Sequence, residues 1–262
     1  MKLIPKKSLG QNFLFDKNVI KIITDCAFIK NKDILEVGPG TGNLTIEILK
    51  KKPNKFFLIE KDNNLIKILK EKFSDKVNYI NDDILRVSEK DLTKKKLTVF
   101  GNLPYNIATE ILIKWILSLD SNPWFEKLIL MFQKEVADRI ISEYDTSSYG
   151  RLSIISNWKL NVKKIIDIKP NCFFPKPKIN SSLLIFTPKQ DFFKLENVHS
   201  LEKVTRIFFN HRRKKIRKPF NHIFNNADEI AKKLKIDLNL RPQNLKKEDY
   251  FMIAKEFEKL KH

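Results

Sequence analysis

Apolar residues recur along this chain at two spacings, and the change from one to the other sorts it into strands and helices. Short, largely apolar runs (Ile34 to Val37, Phe56 to Ile59, Val77 to Ile80, Leu97 to Phe100 and Leu128 to Phe132) alternate with stretches in which apolar side chains return every third or fourth residue. The runs have the length of buried strands, and the wider spacing puts one apolar stripe along a helix. Leu44 to Leu49 predicts the first such helix. Asp62 caps a second, with Leu65, Ile66, Leu69 and Phe73 on one side, and a third after Asn102 presents Ile107, Ile111, Leu112, Trp115 and Ile116. Strand and helix in regular alternation imply a parallel sheet covered by helices, because parallel neighbours need a crossover between them. Ahead of the first strand, Asp16 opens a helix carrying Val19, Ile20, Ile22 and Ile23, which leaves Gly10 to Leu14 as a loop.

The pattern shifts twice more. Val162 to Ile168 and Ser182 to Phe186 read as strands joined by Pro170-Asn171-Cys172-Phe173-Phe174-Pro175-Lys176-Pro177, too short and too rich in proline for a crossover helix. The pair is expected to be an antiparallel hairpin, so the last strand of an otherwise parallel α/β sheet is reversed. Beyond Pro188 the spacing is helical, through Leu201, Val204, Phe208, Ile230 and Leu234 to Tyr250–Phe257. A domain boundary is expected near Thr187 to Asp191, dividing residues 1–188 from a helical 189–262. No internal repeat is visible.

Charge changes the picture of the partner. The 262 residues carry a formal net charge of +20, which favours a polyanion because cations that neutralise phosphates release counterions. Lysine is inflated throughout, as in Lys50-Lys51-Lys52 and Lys94-Lys95-Lys96, so arginine is the better guide. Arg206, Arg212, Arg213 and Arg217 fall in one segment with Lys214, Lys215 and Lys218 interleaved; it is either a nucleic-acid surface or a solvated face. Cys26 and Cys172 form no ligand pattern and are expected to be reduced packing residues, Cys26 on the apolar side of its helix with Ile22 and Ile23. No metal site is expected. No apolar stretch is long enough to span a bilayer, and the leading Met1 to Lys7 lacks a signal core, so the expected location is cytoplasmic.

Glu36-Val37-Gly38-Pro39-Gly40-Thr41-Gly42 follows a strand and opens a helix, where backbone can approach a ligand closely. Its Gly-x-Gly-x-Gly spacing departs from the dinucleotide fingerprint, and the glycines alone would equally suit a tight turn. Glu60, at the end of the second strand, stands where an acid takes hydrogen bonds from ribose hydroxyls. Asp83 lies just past the third strand, positioned to accept from an adenine amino group. Acids at the ends of successive strands converge on one crevice, which points to a nucleoside-containing cofactor. Asn102-Leu103-Pro104-Tyr105 follows the fourth strand. By itself it is either a turn or an amine site: a side-chain amide, a turn carbonyl and an aromatic face are what an exocyclic base nitrogen needs in order to attack. Together with the acids it tilts the cofactor toward S-adenosylmethionine.

These residues resemble the family of small-subunit ribosomal RNA adenine N6,N6-dimethyltransferases. The likeness runs from Ser8-Leu9-Gly10-Gln11-Asn12-Phe13-Leu14, through Glu36 to Gly42, Asn102 to Tyr105, and Phe173 to Ser181, to Arg212-Arg213-Lys214-Lys215-Ile216-Arg217 and Leu240-Arg241-Pro242. It implies a class I methyltransferase domain, Rossmann-like with a seven-stranded sheet, followed by a small all-α domain that binds RNA or the ribosome. The implied reaction dimethylates the N6 amino groups of two adjacent adenosines near the 3′ end of 16S RNA and serves small-subunit biogenesis. Cofactor contacts carry over to Asn12, Leu14, Gly38, Glu60, Asp83 and Asn102. Catalytic roles carry over to Asn102, Leu103 and Tyr105, with Phe173 as the second face of a base sandwich, although this chain has Phe174 beside it. Arg212, Arg213, Lys214, Lys215 and Arg217 become RNA contacts within a pre-ribosomal subunit, and the protein is expected to be a monomer. None of the histidines (His199, His211, His222, His262) lies in a motif loop, which suits chemistry that needs no strong base. The competing expectations are a large-subunit adenine methyltransferase of the macrolide-resistance type, a non-catalytic assembly factor of the same fold, and a nicotinamide oxidoreductase, the last disfavoured by the glycine spacing and Pro39.

Overall fold

A computed structural model of the chain describes residues 5–6 and 9–261. Met1 to Ile4, Lys7, Ser8 and His262, on which some of the expectations above fall, lie outside the described residues. The elements run in the order β1 (Phe13–Leu14), α1 (Lys17–Asp25), β2 (Asp33–Val37), α2 (Asn43–Lys50), β3 (Lys55–Ile59), α3 (Asn63–Phe73), β4 (Asn78–Ile80), β5 (Leu97–Gly101) and α4 (Ala108–Leu117). They continue with β6 (Phe125–Gln133), α5 (Lys134–Ile141), α6 (Arg151–Lys159), β7 (Leu160–Ile168), β8 (Phe173–Phe174), β9 (Ser181–Pro188), α7 (His199–Phe209), α8 (Arg217–Ile223), α9 (Ala227–Leu234) and α10 (Lys247–Glu258).

Seven strands form one sheet in the order β4-β3-β2-β5-β6-β9-β7. β2 pairs in parallel with β3 and β5, β3 with β4, and β5 with β6, while β9 runs antiparallel to β6. This is the mostly parallel sheet with a reversed last strand that the apolar pattern implied. β9 sits inside the sheet, between β6 and β7. The central strands are buried on both faces, with Ile34, Leu35, Val99 and Phe100 at 0% exposure, which is why they read as continuous runs. From β2 the chain moves outward to β3 and β4, then returns to lay β5 on the other side. At such a reversal the crossovers diverge and leave a crevice at the carboxyl ends of the strands.

Two local expectations are corrected. Gly10 to Leu14 is not wholly loop: Phe13 and Leu14 form β1, which pairs antiparallel with β8, Phe13 opposite Phe174 and Leu14 opposite Phe173. Two residues carry no periodicity, and their partner lies far away in sequence. In α1, Asp16 accepts from the Asn18 and Val19 N–H groups as a cap should, and Ile20 and Ile23 are buried, but Ile22 is exposed. At 100° per residue, Ile22 cannot share the stripe that Ile20 and Ile23 define. Cys26 lies just past the end of α1, half-buried against the core, and Cys172 is buried; both are free thiols.

The chain divides into two compact units. One runs to Ala137 and resumes over Asn161–Pro188; the other comprises Asp138–Leu160 and the chain from Lys189. The 188/189 crossing is one of three, and the excursion through α6, counted above with residues 1–188, groups with the C-terminal helices. In this second unit α7 buries Leu201, Val204 and Phe208, and α10 buries Tyr250, Ile253 and Ala254. Phe208 meets Tyr250 edge-on with ring centroids 5.5 Å apart, and the Tyr250 hydroxyl donates to the Pro242 carbonyl at 2.7 Å. No helix among the described residues is long and apolar enough to cross a membrane.

Candidate active site

In the first unit a cavity of about 200 Å³ opens where the carboxyl ends of β2, β3 and β5 meet the segment Leu9–Leu14. Its floor is the turn after β2. Gly38 and Gly40 both have left-handed backbone, φ 67° and 56°, which side chains other than glycine rarely adopt. A Cβ on Gly40 would also stand 2.7 Å from the Phe13 ring. The turn therefore passes directly beneath β1, and a Cβ on Gly38 would lie 3.6 Å from the Asn102 carbonyl oxygen. Backbone on either side of the cavity comes close enough that atoms, rather than side-chain bulk, shape it.

The roof is held by polar contacts reaching from the N-terminal segment to the first helices. Asp62, the N-cap of α3, accepts from Lys6 Nζ at 2.8 Å and Gln11 Nε2 at 3.0 Å while also capping the Asn64 N–H. Burial opposes ionisation of Asp62, but these donors outweigh it and hold the carboxyl below its usual range. Asn43 Nδ2 donates to the Leu14 carbonyl at 2.8 Å, so the first turn of α2 fixes β1 from the other side.

Four acids line the cavity, and Glu36, Glu60 and Asp83 among them stand in three different environments. Glu36 is fully enclosed, receives the Thr45 hydroxyl at 2.7 Å, and is pushed by burial up to about 8, so it is protonated at neutral pH. Glu60 is raised by burial as well, though N–H groups of Asp62, Gly40 and Lys61 offset part of the effect; one oxygen accepts the Asp62 N–H at 2.9 Å. Asp83 lies near the surface, paired with Lys61 Nζ at 2.7 Å and bonded to the Leu85 N–H at 3.0 Å, and these contacts hold it below the usual carboxylate range. A buried neutral acid, a half-compensated one and an ionised one thus stand in a row across the carboxyl edge of the sheet.

Asn102 follows β5 at the mouth. Its Nδ2 donates to the Asn12 carbonyl at 2.8 Å, which orients the amide and leaves Oδ1 as the atom able to accept. Leu103 is buried and anchors the turn; the Pro104 carbonyl accepts the Ile107 and Ala108 N–H groups that start α4, whereas among the described residues no turn or loop backbone hydrogen bond uses the Leu103 carbonyl. The Tyr105 hydroxyl meets Ser181 Oγ at 2.5 Å, pinning the ring from the start of β9. Burial raises its hydroxyl, with the Ser181 contact working the other way, so it stays protonated.

Asn12, Leu14, Gly38, Glu60, Asp83, Asn102, Leu103 and Tyr105 therefore all line one cavity. Phe173 does not. Its ring is 2% exposed and belongs to the core with Leu14, Ile168 and Leu183, while Phe174 is 60% exposed. Successive residues of a strand point to opposite faces, so pairing with Leu14 turns Phe173 inward and Phe174 outward. Sequence reasoning assigned no role to Ser181 and Asn43, which hold Tyr105 and Leu14 of the lining, or to Gln11, which lines the cavity and donates to Asp62. Gln11 and Ser181 lie inside the stretches that carry the family likeness, and Asn43 directly follows the glycine turn. Among the described residues no His, Cys, Asp or Glu cluster is suited to a metal ion.

A family model described as Ribosomal RNA adenine dimethylase matches residues 4–259. The Ribosomal RNA small subunit methyltransferase A of Pelagibacter ubique is 62% identical over 256 residues, covering 98% of each chain. Among solved structures, a dimethyladenosine transferase from Plasmodium falciparum superposes with a TM-score of 0.76 at 25% identity, covering 94% of this chain and 97% of its own. The 23S rRNA methyltransferase ErmE superposes at 0.67 with 22% identity, over 96% of this chain and 100% of its own, a likeness of fold.

Proposed function

The chain belongs to the ribosomal RNA adenine dimethylase family and is an S-adenosylmethionine-dependent adenine dimethyltransferase of small-subunit rRNA, and from that premise we propose how its residues divide the work. Bound S-adenosylmethionine supplies a methyl group made electrophilic by its sulfonium. The glycine turn over Gly38 gives the close backbone approach such a ligand needs, Glu60 takes the ribose hydroxyls, Asp83 takes the adenine amino group, and Asn12 and Leu14 close the cavity from above.

The observation that carries the catalytic assignment is the 2.8 Å bond from Asn102 Nδ2 to the Asn12 carbonyl. With one amide hydrogen so committed, Oδ1 faces the target. An adenine N6 lone pair is delocalised into its ring; when Asn102 Oδ1 and the Leu103 carbonyl accept its two hydrogens, the nitrogen is drawn out of conjugation. With the cofactor held there, attack would form the N–C bond as its C–S bond breaks, and the proton of the resulting cation would pass to water. The enzyme's task is alignment, for which a fixed geometry suffices. Among the described residues no histidine lines the cavity. Tyr105 stacks on the base, a contact worth roughly 1–3 kcal/mol in single-strand binders.

We assign the targets to two adjacent adenosines near the 3′ end of the small-subunit RNA, and the role to subunit biogenesis in the cytoplasm by a monomer. In the second unit Arg213, Lys214, Lys215 and Arg217 are exposed and suit an RNA backbone within a pre-ribosomal subunit. Arg212 does different work: its Nε donates to Gln243 Oε1 at 3.3 Å and its NH2 to the Thr146 and Ser147 carbonyls, so it ties two loops together. The deciding experiment offers unmethylated small and large subunits to the protein and maps methylated adenines by mass. Dimethyladenosine confined to small-subunit RNA is expected; label only in large-subunit RNA would overturn the assignment.

A further inference from the structure

A second cavity, of about 280 Å³, lies wholly within the helical unit, between the first turn of α6 and the first two turns of α7. Arg151, Lys203 and Arg206 line it, with His199, Glu202 and Ser200. Glu202 is engaged by His199 Nδ1 at 2.9 Å, and the Lys203 ammonium lies 5.2 Å from the centroid of the Phe257 ring. Neither guanidinium, Arg151 or Arg206, has a side-chain hydrogen bond or ion pair among the described residues. Ser200, also in the lining, is 1% exposed, and its Oγ has no hydrogen-bond partner among the described residues. A buried hydroxyl without a partner costs stability, and three cations around it outnumber the one carboxylate. Both features are met by a tetrahedral oxyanion that accepts from the hydroxyl and both guanidiniums.

We propose that this cavity, whose lining shares no residue with the adenine site or with Arg213–Arg217, binds a backbone phosphate of the rRNA. The assignment rests on the rRNA reading above. A phosphodiester presents two unesterified oxygens, one for the Ser200 hydroxyl and one for the arginine pair.

The test measures affinity of the full-length protein for unmethylated small subunits against salt concentration, for wild type, Arg151→Gln/Arg206→Gln and Ser200→Ala. Losing one phosphate contact is expected to flatten the log–log salt slope by about 0.7–0.9, so that raising salt from about 50 to 200 mM costs the double variant about three-fold less affinity than wild type. Ser200→Ala is expected to weaken binding without lowering the melting temperature, a combination that a purely structural serine would not give. S-adenosylmethionine affinity, unchanged in all three, shows that they fold. An unchanged slope in the double variant, with wild type binding normally, overturns the proposal and leaves the rRNA reading intact. Failure of wild type to bind subunits overturns the rRNA reading. Titration with inorganic phosphate separates the remaining source: Arg206-dependent phosphate binding with an unchanged RNA slope would make this a free-phosphate site and overturn the assignment to RNA.

Discussion

The two units solve recognition by opposite means. The cavity at the sheet edge is built from backbone: left-handed glycines, a bare turn carbonyl, and side chains such as Asn102, Tyr105 and Asp62 that are each held by a partner. The helical unit instead presents long, exposed cations: among the described residues Arg213 and Lys214 have no side-chain partner, Lys215 donates to Asn239 Oδ1 at 2.9 Å, and Arg217 pairs with the exposed Asp228 at 2.9 Å. A displacement reaction tolerates little misplacement of nucleophile and methyl, whereas phosphate binding depends on charge and falls with salt. The contrast teaches that loss of a single held atom should be catastrophic on one side, and loss of a single charge modest on the other.

Asn102→Ala breaks the comparison most directly. It removes the acceptor fixed by Asn12, and methyl transfer is expected to drop by roughly 100-fold or more, on the scale of losing one preorganised hydrogen-bonding group, with S-adenosylmethionine binding still measurable; turnover near wild type would end the activation scheme. Phe173 and Phe174 come next. Phe173→Ala empties a core position and should cost about 3–5 kcal/mol in denaturant unfolding, while Phe174→Ala should leave stability nearly unchanged. Phe173→Leu keeps apolar bulk, and loss of methylation in that variant with stability retained would show that Phe173 reaches the base after all.

A pH titration of stability examines the buried acid. Glu36 sits at about 8 when folded against an ordinary value of 4.5 when unfolded, so between those values the folded chain holds the extra proton and stability falls as pH rises. Each unit of difference is about 1.4 kcal/mol, making the loss a few kcal/mol across that window. Glu36→Gln keeps an acceptor for Thr45 and should flatten that fall; an equally steep profile in the variant would assign the titration elsewhere. The smallest effects are expected on the helical surface. Arg213→Gln or Lys214→Gln should each reduce the salt slope of subunit binding by at most about 0.9, with no change in stability, whereas Arg212→Ala should lower the melting temperature by freeing the Thr146–Ser147 loop. A large loss of stability in Arg213→Gln would erase the distinction drawn between the two arginines.

The central strands and the reversed last one were within reach of the apolar pattern, because strands buried on both faces read as continuous apolar runs such as Phe56 to Ile59, whereas their lateral order in the sheet was not. Helix caps were equally local: Asp16 and Asp62 both accept from N–H groups two or three residues on. The β1–β8 pairing was out of reach, since each strand is two residues long and its partner lies across most of the sheet-forming sequence. The same holds for the grouping of Asp138–Leu160 with the C-terminal helices, which a linear pattern cannot express.

The sequence by itself determined the class of fold, the row of acids at strand ends, the Asn-Leu-Pro-Tyr turn and the family, because each is written in residues adjacent along the chain or repeated at a fixed period. Only tertiary structure decided which atom of Asn102 is free, why Glu36 holds its proton, that Phe173 turns inward while Phe174 turns out, and which of four arginines are tethered. Those outcomes depend on what a side chain meets across space: Asn12 stands 90 residues from Asn102 and Thr146 stands 66 from Arg212, and such neighbours set burial, pairing and desolvation.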